Sequence, residues 1–389
     1  MNRILILLAL LLLAVGCPPG LDDDDSVDPT DDDDAADDDD AADDDDAADD
    51  DDDDDAADDD DATSACVDGW APHASVAPPV GESFLAVATD PVSNRMAVLR
   101  AGSLDVYDLT DPDSPTLVEE HGALELGPWG AWGDVAQAPG GFVAAGTTSI
   151  GPAEQPTIAM VQQNVAGSQI WANAAVPHDV VAVAAQGNLV AAAGAGQISF
   201  FQIGSASLLL TTRTWNESAW TPNDIGIEAE RAVLTSWTDQ IHIVPADPTE
   251  DVIAITSESH GQGVRWVGEG MLVAHSTNGW VGGITGLSLV DPVAGTDVWV
   301  ANTPWISAAD GEDGAFAAVV HDGEIVVANQ ESGVLRGAWT QPPLTIPTTT
   351  TLTPTVWPEV PFQPHWLEHI GPLLVLGNSS TVGLVELCP

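Results

Sequence analysis

The feature that most constrains the fold is a repeated arrangement of short strands. Segments Phe84–Glu120, His178–Ile203 and Asn223–Ile255 share one order of elements: an apolar strand, a tight turn, a strand rich in Val and Ala, a second turn and an alternating strand, with a DP-type turn and a fourth strand completing the unit. The strands lack the 3.6-residue period of helices, and Gly and Pro are dense between them. The sequence therefore predicts an all-β fold.

The repeat length indicates how the strands are grouped. Units begin near Phe84, Asp134, Asp179, Asp224, Gly263, Trp305 and Trp366. Three of these starts, Asp134, Asp179 and Asp224, are spaced by 45 residues. Seven units in the region 66–389 give roughly 46 residues each, the size of a four-stranded propeller blade. We expect a seven-bladed β-propeller, because a sandwich of two sheets does not need seven similar units.

The two ends of this region predict how the ring closes. The seventh unit, 363–387, supplies only three strands, and the segment 71–77 can add the fourth by strand pairing. Cys66 would then lie beside Cys388, and a disulfide between them would lock the seam. A Thr/Pro-rich insertion at 341–361 is expected to run extended over one face or edge of the ring.

The N-terminus is typical of an exported chain. Residues 1–16 contain Arg3 and the uncharged run Ile4–Val15, which is too short to cross a bilayer of about 30 Å and has the build of a signal peptide. The sequence AVGC at 14–17 resembles the lipobox of bacterial lipoproteins, which implies a lipid on Cys17. An ordinary secretory signal with an unpaired Cys is the alternative. With Cys17 lipidated, an even pair remains for an oxidising compartment.

An acidic tether, 17–65, follows the signal. It contains 28 Asp between Asp22 and Asp61, mostly as DDDDAA repeats, and within this span the only apolar residues are Ala, one Pro and a lone Val. Because like charges repel and Asp is a poor helix former, we expect a disordered, solvated spacer. Calcium binding is the alternative, although the segment lacks the turns and carbonyl groups that define a calcium site.

Charge excludes several classes of function. The seven basic residues are all Arg, and the chain has no Lys. Removing the 28 tether aspartates from the 62 acidic residues leaves 34, against six Arg, so the propeller region is strongly negative by itself. This balance argues against nonspecific binding of nucleic acid or anionic lipid. It also excludes chemistry that depends on Lys, such as a Schiff base.

One unit allows a family resemblance to be stated. The segment Gly102–Val118, GSLDVYDLTDPDSPTLV, carries a spaced set of eight residues: Gly102, Leu104, Val106, Asp108, Thr110, Asp111, Pro112 and Pro115. This pattern resembles the LVIVD repeat of bacterial β-propellers, and Pro177–Gly194 is similar to the strand that opens such repeats. The resemblance implies a propeller in an exported or surface protein with adhesive or binding roles, and it implies no shared catalytic residues.

Polar residues recur where the units begin, and they are the candidate ligand contacts. The candidates are Asp134, His178, Asp179, Asn223, Asp224 and His365. In a propeller these positions should fall where the chain enters the innermost strand, near the central channel. In one interpretation each Asp braces backbone N–H groups of its own or the next blade. In the other, the side chains form a channel-mouth site for a cation or a polar ligand.

Tryptophans divide into two groups by position. Trp171, Trp215, Trp299 and Trp339 lie late in their units, where packing between blades is expected. Trp129, Trp132, Trp220, Trp305 and Trp366 lie nearer the connections between units and are the better candidates for exposed contacts, including stacking on carbohydrate.

No catalytic set emerges from the motifs. His365–His369, HWLEH, fits a zinc-protease pattern that requires a helix, but Pro364 precedes it and a Gly-Pro pair follows. A strand is therefore expected, and we assign no metal site, no catalytic residue and no cofactor other than the lipid on Cys17.

These observations favour a noncatalytic binding, adhesion or protein-interaction module. We expect a monomer, held by its lipid at the outer membrane or cell surface of a bacterium, with an unknown protein or glycan as ligand and no nucleic acid. Two alternatives remain open: a propeller hydrolase or lyase with a site at the channel mouth, and a structural subunit of an envelope complex.

Overall fold

The computed structural model describes residues 66, 70–122, 132–150, 153–162, 169–203, 208–216, 220–238, 240–257, 259–268, 270–278, 285–302, 312–329, 333–339, 350–351, 353–354 and 364–388. All of them belong to the second of two units of the chain, Asp61–Pro389. The predicted signal segment, Cys17 and the tether lie outside the described residues. Within the described residues no helix is long and apolar enough to span a membrane.

The chain forms a seven-bladed β-propeller of antiparallel sheets. The first strand, β1 (Trp70–Val76), belongs to blade 7. Blade 1 contains β2 (Phe84–Asp90), β3 (Arg95–Arg100), β4 (Ser103–Asp108) and β5 (Thr116–Gly122). Blade 2 contains β6 (Trp132–Ala138), β7 (Gly141–Ile150), β8 (Ala153–Gln162) and β9 (Gln169–Ala175). Blade 3 contains β10 (Ala182–Gln186), β11 (Leu189–Gly194), β12 (Gln197–Gln202) and β13 (Leu208–Thr214).

The remaining blades follow in chain order. Blade 4 contains β14 (Pro222–Glu228), β15 (Arg231–Ser236), β16 (Gln240–Pro245) and β17 (Ile253–Thr256). Blade 5 contains β18 (His260–Trp266), β19 (Met271–Asn278), β20 (Gly286–Asp291) and β21 (Thr296–Asn302). Blade 6 contains β22 (Glu312–His321), β23 (Glu324–Asn329) and β24 (Gly333–Ala338). Short strands β25 (Thr350–Thr351) and β26 (Thr353–Pro354) precede β27 (Trp366–Ile370), β28 (Leu373–Asn378) and β29 (Thr381–Leu387) of blade 7.

The hydrophobic core consists of layers between blades. Apolar clusters of described residues join each pair of neighbouring blades around the ring, including the pair formed by blades 7 and 1. The second strand of a blade is buried on both faces, as in β11, where Val190 to Ala193 are all inaccessible to solvent. Small Ala and Val side chains suit this position because blades pack on both sides of it.

The ring closes as the sequence predicts. β1 pairs antiparallel with β29, with Trp70 opposite Leu387. A disulfide joins Cys66 and Cys388, whose Cα atoms lie 6.3 Å apart. Arg336 of blade 6 stacks over Trp70, 5.3 Å from its ring centroid, and its Nη2 lies 3.4 Å from the Cys388 carbonyl oxygen. Strand pairing, a covalent bond and a cation–π contact therefore all act at one seam.

Blades 5 and 6 carry additional strands. β25 pairs in parallel with β21, and β26 pairs antiparallel with β24, so β26 is the fourth strand of blade 6. These four residues of the predicted insertion lie along the outer edges of two blades, and most of the insertion lies outside the described residues. The predicted start of unit six, Trp305, lies outside the described residues, and β22 is described from Glu312.

Candidate functional site: the central cavity

The inner strands of the seven blades surround a cavity of about 390 Å³. These strands are β2, β6, β10, β14, β18, β22 and β27, and each contributes lining residues. The volume lies within the range of small-molecule sites in proteins.

One residue from each blade lines the cavity at the end where the inner strands begin. In five blades the pairing of the first two strands shifts there through a β-bulge, which frees one residue from the ladder. We call these seven residues the mouth ring: Leu85, Gly133, Val181, Asn223, Gln262, Phe316 and His365. Asn223 and His365 are two of the predicted contacts, and the rings of Phe316 and His365 are stacked with centroids 5.1 Å apart.

Asp134 follows the mouth ring in blade 2 and joins two blades. Its Oδ1 accepts the N–H of Val135 at 2.8 Å, and its Oδ2 accepts the N–H of Val183 in blade 3 at 2.7 Å. The side chain lines the cavity. This is the arrangement that the bracing interpretation expects.

Asp224 of blade 4 repeats the arrangement. Its Oδ1 accepts the N–H of Ile225, and its Oδ2 accepts the N–H of Val264 in blade 5, both at 2.8 Å. Its neighbour Asn223 donates from the side-chain amide to the carbonyl oxygen of Gly261 at 2.8 Å. Two blade interfaces are thus bridged by equivalent carboxylates that also face the cavity.

Asp179 does not occupy the third equivalent position, so its predicted equivalence to Asp134 and Asp224 is wrong. The residue of blade 3 that pairs as Asp134 does is Ala182, opposite Ala193, whereas Asp134 is opposite Ala145. Asp179 is exposed, lies three residues earlier and is absent from the cavity wall. The spacing of 45 residues misleads because β7 and β8 of blade 2 have ten residues each, whereas β11 and β12 of blade 3 have six each.

His178 likewise lies outside the cavity wall, on the connection from blade 2 to blade 3. Its Nδ1 lies 2.8 Å from the carbonyl oxygen of Asp179, and its Nε2 lies 3.0 Å from Oγ of Ser199. Burial lowers the pKa of the imidazole, and the bond to the carbonyl opposes this shift. These contacts make His178 a structural residue of blade 3.

Two charged residues that the sequence did not single out complete the cavity. Arg265 of blade 5 donates from Nη1 to Asp224 Oδ2 at 2.9 Å and from Nη2 to Glu368 Oε1 at 2.6 Å. Glu368 belongs to blade 7, so this ion pair bypasses blade 6 and crosses the cavity. Arg265 is the one Arg of the described inner strands, and blades 2, 3 and 4 have Ala or Gly where blade 7 has Glu368, so a search for repeats does not find this pair.

The cavity has an excess of acidic groups. Burial raises the pKa of Asp134 to about 7, and the charge of Asp224 adds to this rise, while the bonds from Val183 and Val135 oppose it. Burial disfavours the charge of Arg265, but Glu368 and Asp224 outweigh this effect and raise its pKa. Three carboxyl groups therefore share the cavity with one permanent cation.

All six arginines of the propeller have partners, and five of them are paired with carboxylates. Arg95, Arg100, Arg231, Arg265 and Arg336 pair with the carboxylates of Glu119, Asp105, Glu250, Glu368 and Glu324, respectively. Arg213 donates instead to the carbonyl oxygens of Pro245, Asp247 and Glu250. In the part of the chain that the structure describes, no group of three or more His, Cys, Asp or Glu residues could hold a metal ion.

Two exposed tryptophans lie on the same side of the ring as the mouth. Trp220, 46% exposed, precedes β14 by two residues, and Trp237, 38% exposed, directly follows β15. Since Pro222 pairs with Ser236, both aromatic residues extend from the same end of that hairpin. The sequence predicted exposure for Trp220 and missed Trp237, while Trp215 is buried, as its late position in the unit indicates.

The HWLEH motif forms a strand, as expected. Trp366–Ile370 is β27, which pairs with β28, and His369 packs against His321 of blade 6 with ring centroids 5.7 Å apart. The two histidines of the motif therefore do not share a helical face, which a zinc-protease site of this type requires.

Comparisons with known proteins identify the fold and nothing finer. No family model matches the chain, and none of the curated proteins matches it. Among solved structures, a chain of the "Mitotic Checkpoint Complex" superposes with a TM-score of 0.59 and 11% identity, covering 82% of this chain and 96% of that chain. The computationally designed Ika8 protein gives a TM-score of 0.47 at 11% identity, covering 78% of this chain and 96% of that chain. The first of these likenesses supports a β-propeller.

Proposed function

We propose that this protein is a lipid-anchored, extracytoplasmic binding module that presents a rigid propeller on an acidic spacer. The observation that carries the proposal is the disulfide between Cys66 and Cys388 at the seam of the ring. A structural disulfide persists in oxidising compartments, which supports export of the chain. The third cysteine, Cys17, lies at the lipobox-like segment, where a lipid would anchor the N-terminus.

The central cavity is the best candidate for the binding site. One mouth-ring residue from each blade lines this cavity, so the shape of the cavity is set by all seven blades. Asp224 and Glu368 are both bonded to Arg265, and Asp134 is held by backbone N–H groups. Fixed charges on rigid strands favour recognition of a ligand, because little order is lost when the ligand binds.

Expression of the full chain in a bacterium, with and without Cys17→Ser, tests the anchor. We expect the wild-type protein in the membrane fraction, with a diacylglyceryl mass on the peptide that begins at Cys17, and the variant in the soluble extracytoplasmic fraction. Cys66→Ser is the matched control, because it removes a different cysteine and should leave the lipid in place. An unmodified Cys17 in the wild-type protein would contradict the proposal.

A propeller enzyme is the second candidate, and one observation favours it. Asp134 lines the cavity with a pKa raised to about 7, the range in which a carboxyl group serves as a general acid or base. Incubation with glycan and peptide libraries, followed by mass spectrometry, tests for turnover. An enzyme would convert a library member in a reaction that Asp134→Ala abolishes, whereas a binding module would leave both libraries unchanged.

A further inference from the structure

We propose that the central cavity binds an organic ammonium ion, which enters through the mouth ring and places its charged group beside Asp134. The inference rests on the proposed binding function and names the ligand class. Its parts are a cavity of about 390 Å³, a carboxylate without an ion pair of its own, a mouth that has apolar and aromatic side chains beside the polar Asn223 and Gln262, and a propeller in which every Arg is engaged.

Asp134 is the cavity carboxylate that has no ion pair of its own among the described residues, although Arg265 opposes the rise of its pKa without contacting it. Both terminal nitrogens of Arg265 are engaged, one with Asp224 and the other with Glu368. Asp134 accepts hydrogen bonds from the N–H groups of Val135 and Val183, and the structure shows no ion pair to it among the described residues. A ligand cation at this point would supply the missing charge in a partly desolvated cavity, where an ion pair is stronger than in water.

The mouth ring indicates an organic ion. Phe316 and His365 form a stacked aromatic pair, and Leu85 and Val181 add apolar surface elsewhere in the ring. Aromatic faces and apolar walls bind alkylammonium groups well, through cation–π attraction and burial of the carbon skeleton. A metal ion fits poorly, because each oxygen of Asp134 already accepts a backbone N–H bond and no metal-ligand group of three lies in the described part of the chain.

The net negative charge of the propeller favours a positively charged ligand. The region after the tether has 34 acidic residues and six Arg, and each of those arginines has partners in the structure. Such a field concentrates cations at the mouth of a cleft and repels phosphorylated or carboxylated ligands.

Isothermal titration calorimetry on the full chain tests the proposal with choline, putrescine and phenethylammonium at physiological ionic strength. The control ligand is 3,3-dimethyl-1-butanol, which has the shape of choline without its charge. We expect at least one cation to bind with one site per chain, and choline to bind more tightly than its neutral isostere. The acidic tether is present in every sample, so its nonspecific binding of cations cancels when the wild type is compared with a variant. It does not cancel between choline and the neutral isostere, and the site is therefore assigned from the variants described next.

Two variants place the site. Asp134→Ala should weaken cation binding by at least about tenfold, and Ala182 at the equivalent place in blade 3 indicates that the ring accepts Ala there. Val181→Lys puts a positive charge at a mouth position that is 39% exposed, where the fold should tolerate it, and should weaken binding comparably. Glu230→Gln, on the exposed turn between β14 and β15, removes one negative charge elsewhere and should bind as the wild type does.

The outcomes separate this inference from the proposed function. Lack of charge-dependent binding by all three cations, or undiminished binding in a folded Asp134→Ala or Val181→Lys variant, would overturn the ammonium site. Such a result would leave the lipid on Cys17 and the binding of other ligands unaffected. Conversely, an unlipidated Cys17 would overturn the anchor while leaving cation binding by the cavity intact.

Discussion

At the scale of the residue, Asp134 holds two blades together through hydrogen bonds while its surroundings disfavour its negative charge. Its carboxyl group connects blades 2 and 3 through two backbone N–H groups, yet it is half-buried near the like charge of Asp224. The bonds stabilise the ionised form, and burial and repulsion destabilise it. The raised pKa shows that the destabilising effects are larger, so the folded protein retains this proton at pH values where the unfolded chain releases it.

The stability of the protein should therefore depend on pH through Asp134. The ordinary pKa of an Asp is about 3.9, and the folded value is about 7. Between these values the folded state binds more protons, so the contribution of Asp134 to the free energy of unfolding falls as pH rises and levels off above pH about 7. Chemical denaturation of wild type and Asp134→Ala at several pH values measures this, and the wild-type advantage should shrink with rising pH.

The pH profile of the wild type alone would not isolate the effect of Asp134, because His275 also makes stability depend on pH. It is fully buried in blade 5, and burial lowers the pKa of its imidazole to about 4. Its unfolded form binds a proton below its ordinary pKa, so it removes stability as pH falls, opposite in sign to Asp134. Both proteins contain His275, and the difference between them isolates Asp134. A pH-independent difference would contradict the assignment.

At the scale of the element, Arg265 and Glu368 connect inner strands of blades that are not neighbours. Removing one partner leaves an uncompensated charge in the cavity, whereas removing both leaves less. We expect Arg265→Met to destabilise the propeller by about 3 kcal/mol and Arg265→Met with Glu368→Leu to recover part of the loss. A double-mutant cycle measured by urea unfolding checks this, and simple additivity of the two single changes would contradict it.

Much of the strand architecture could be predicted from the sequence because it depends on local patterns. Alternation, Gly turns and repeat length gave the seven blades, and the missing strand of the last unit gave the pairing of β1 with β29. The location of Asp179 could not be obtained in this way, since a sequence spacing of 45 counts residues in connections as well as in strands. Ala182 occupies the predicted place because the ten-residue strands β7 and β8 make blade 2 longer than blade 3, in which β11 and β12 have six residues each.

The remaining part of the site depends on contacts between distant strands. Arg265 and Glu368 are 103 residues apart and meet only once the ring has closed. Similarly, β26 lies within the insertion and pairs with β24 as the fourth strand of blade 6. No repeat pattern in the sequence predicts this pairing. Local patterns specify the blade, whereas unique charged pairs and added strands are determined by which surfaces the closed ring brings together.

At the scale of the whole molecule, closure is the property that distinguishes this chain from seven separate sheets. The apolar clusters between blades continue around the ring without interruption at the seam. At the seam the clusters are supported by the pairing of β1 with β29, by Arg336 over Trp70 and by the disulfide. The first and last strands of the propeller are therefore stabilised together.

The disulfide should contribute substantially to this closure. It joins residues 322 positions apart, and for a loop of that length the chain-entropy model gives a stabilisation of about 6 kcal/mol. The Cys66→Ala, Cys388→Ala double variant should therefore unfold at a lower denaturant concentration, and its hydrogen exchange should rise first in β1 and β29. β14 and β15 of blade 4, far from the seam in chain order, provide the internal reference, since their exchange reports opening of the whole ring. Equal acceleration in both places would mean that the ring opens as one unit and that the disulfide does not protect the seam in particular.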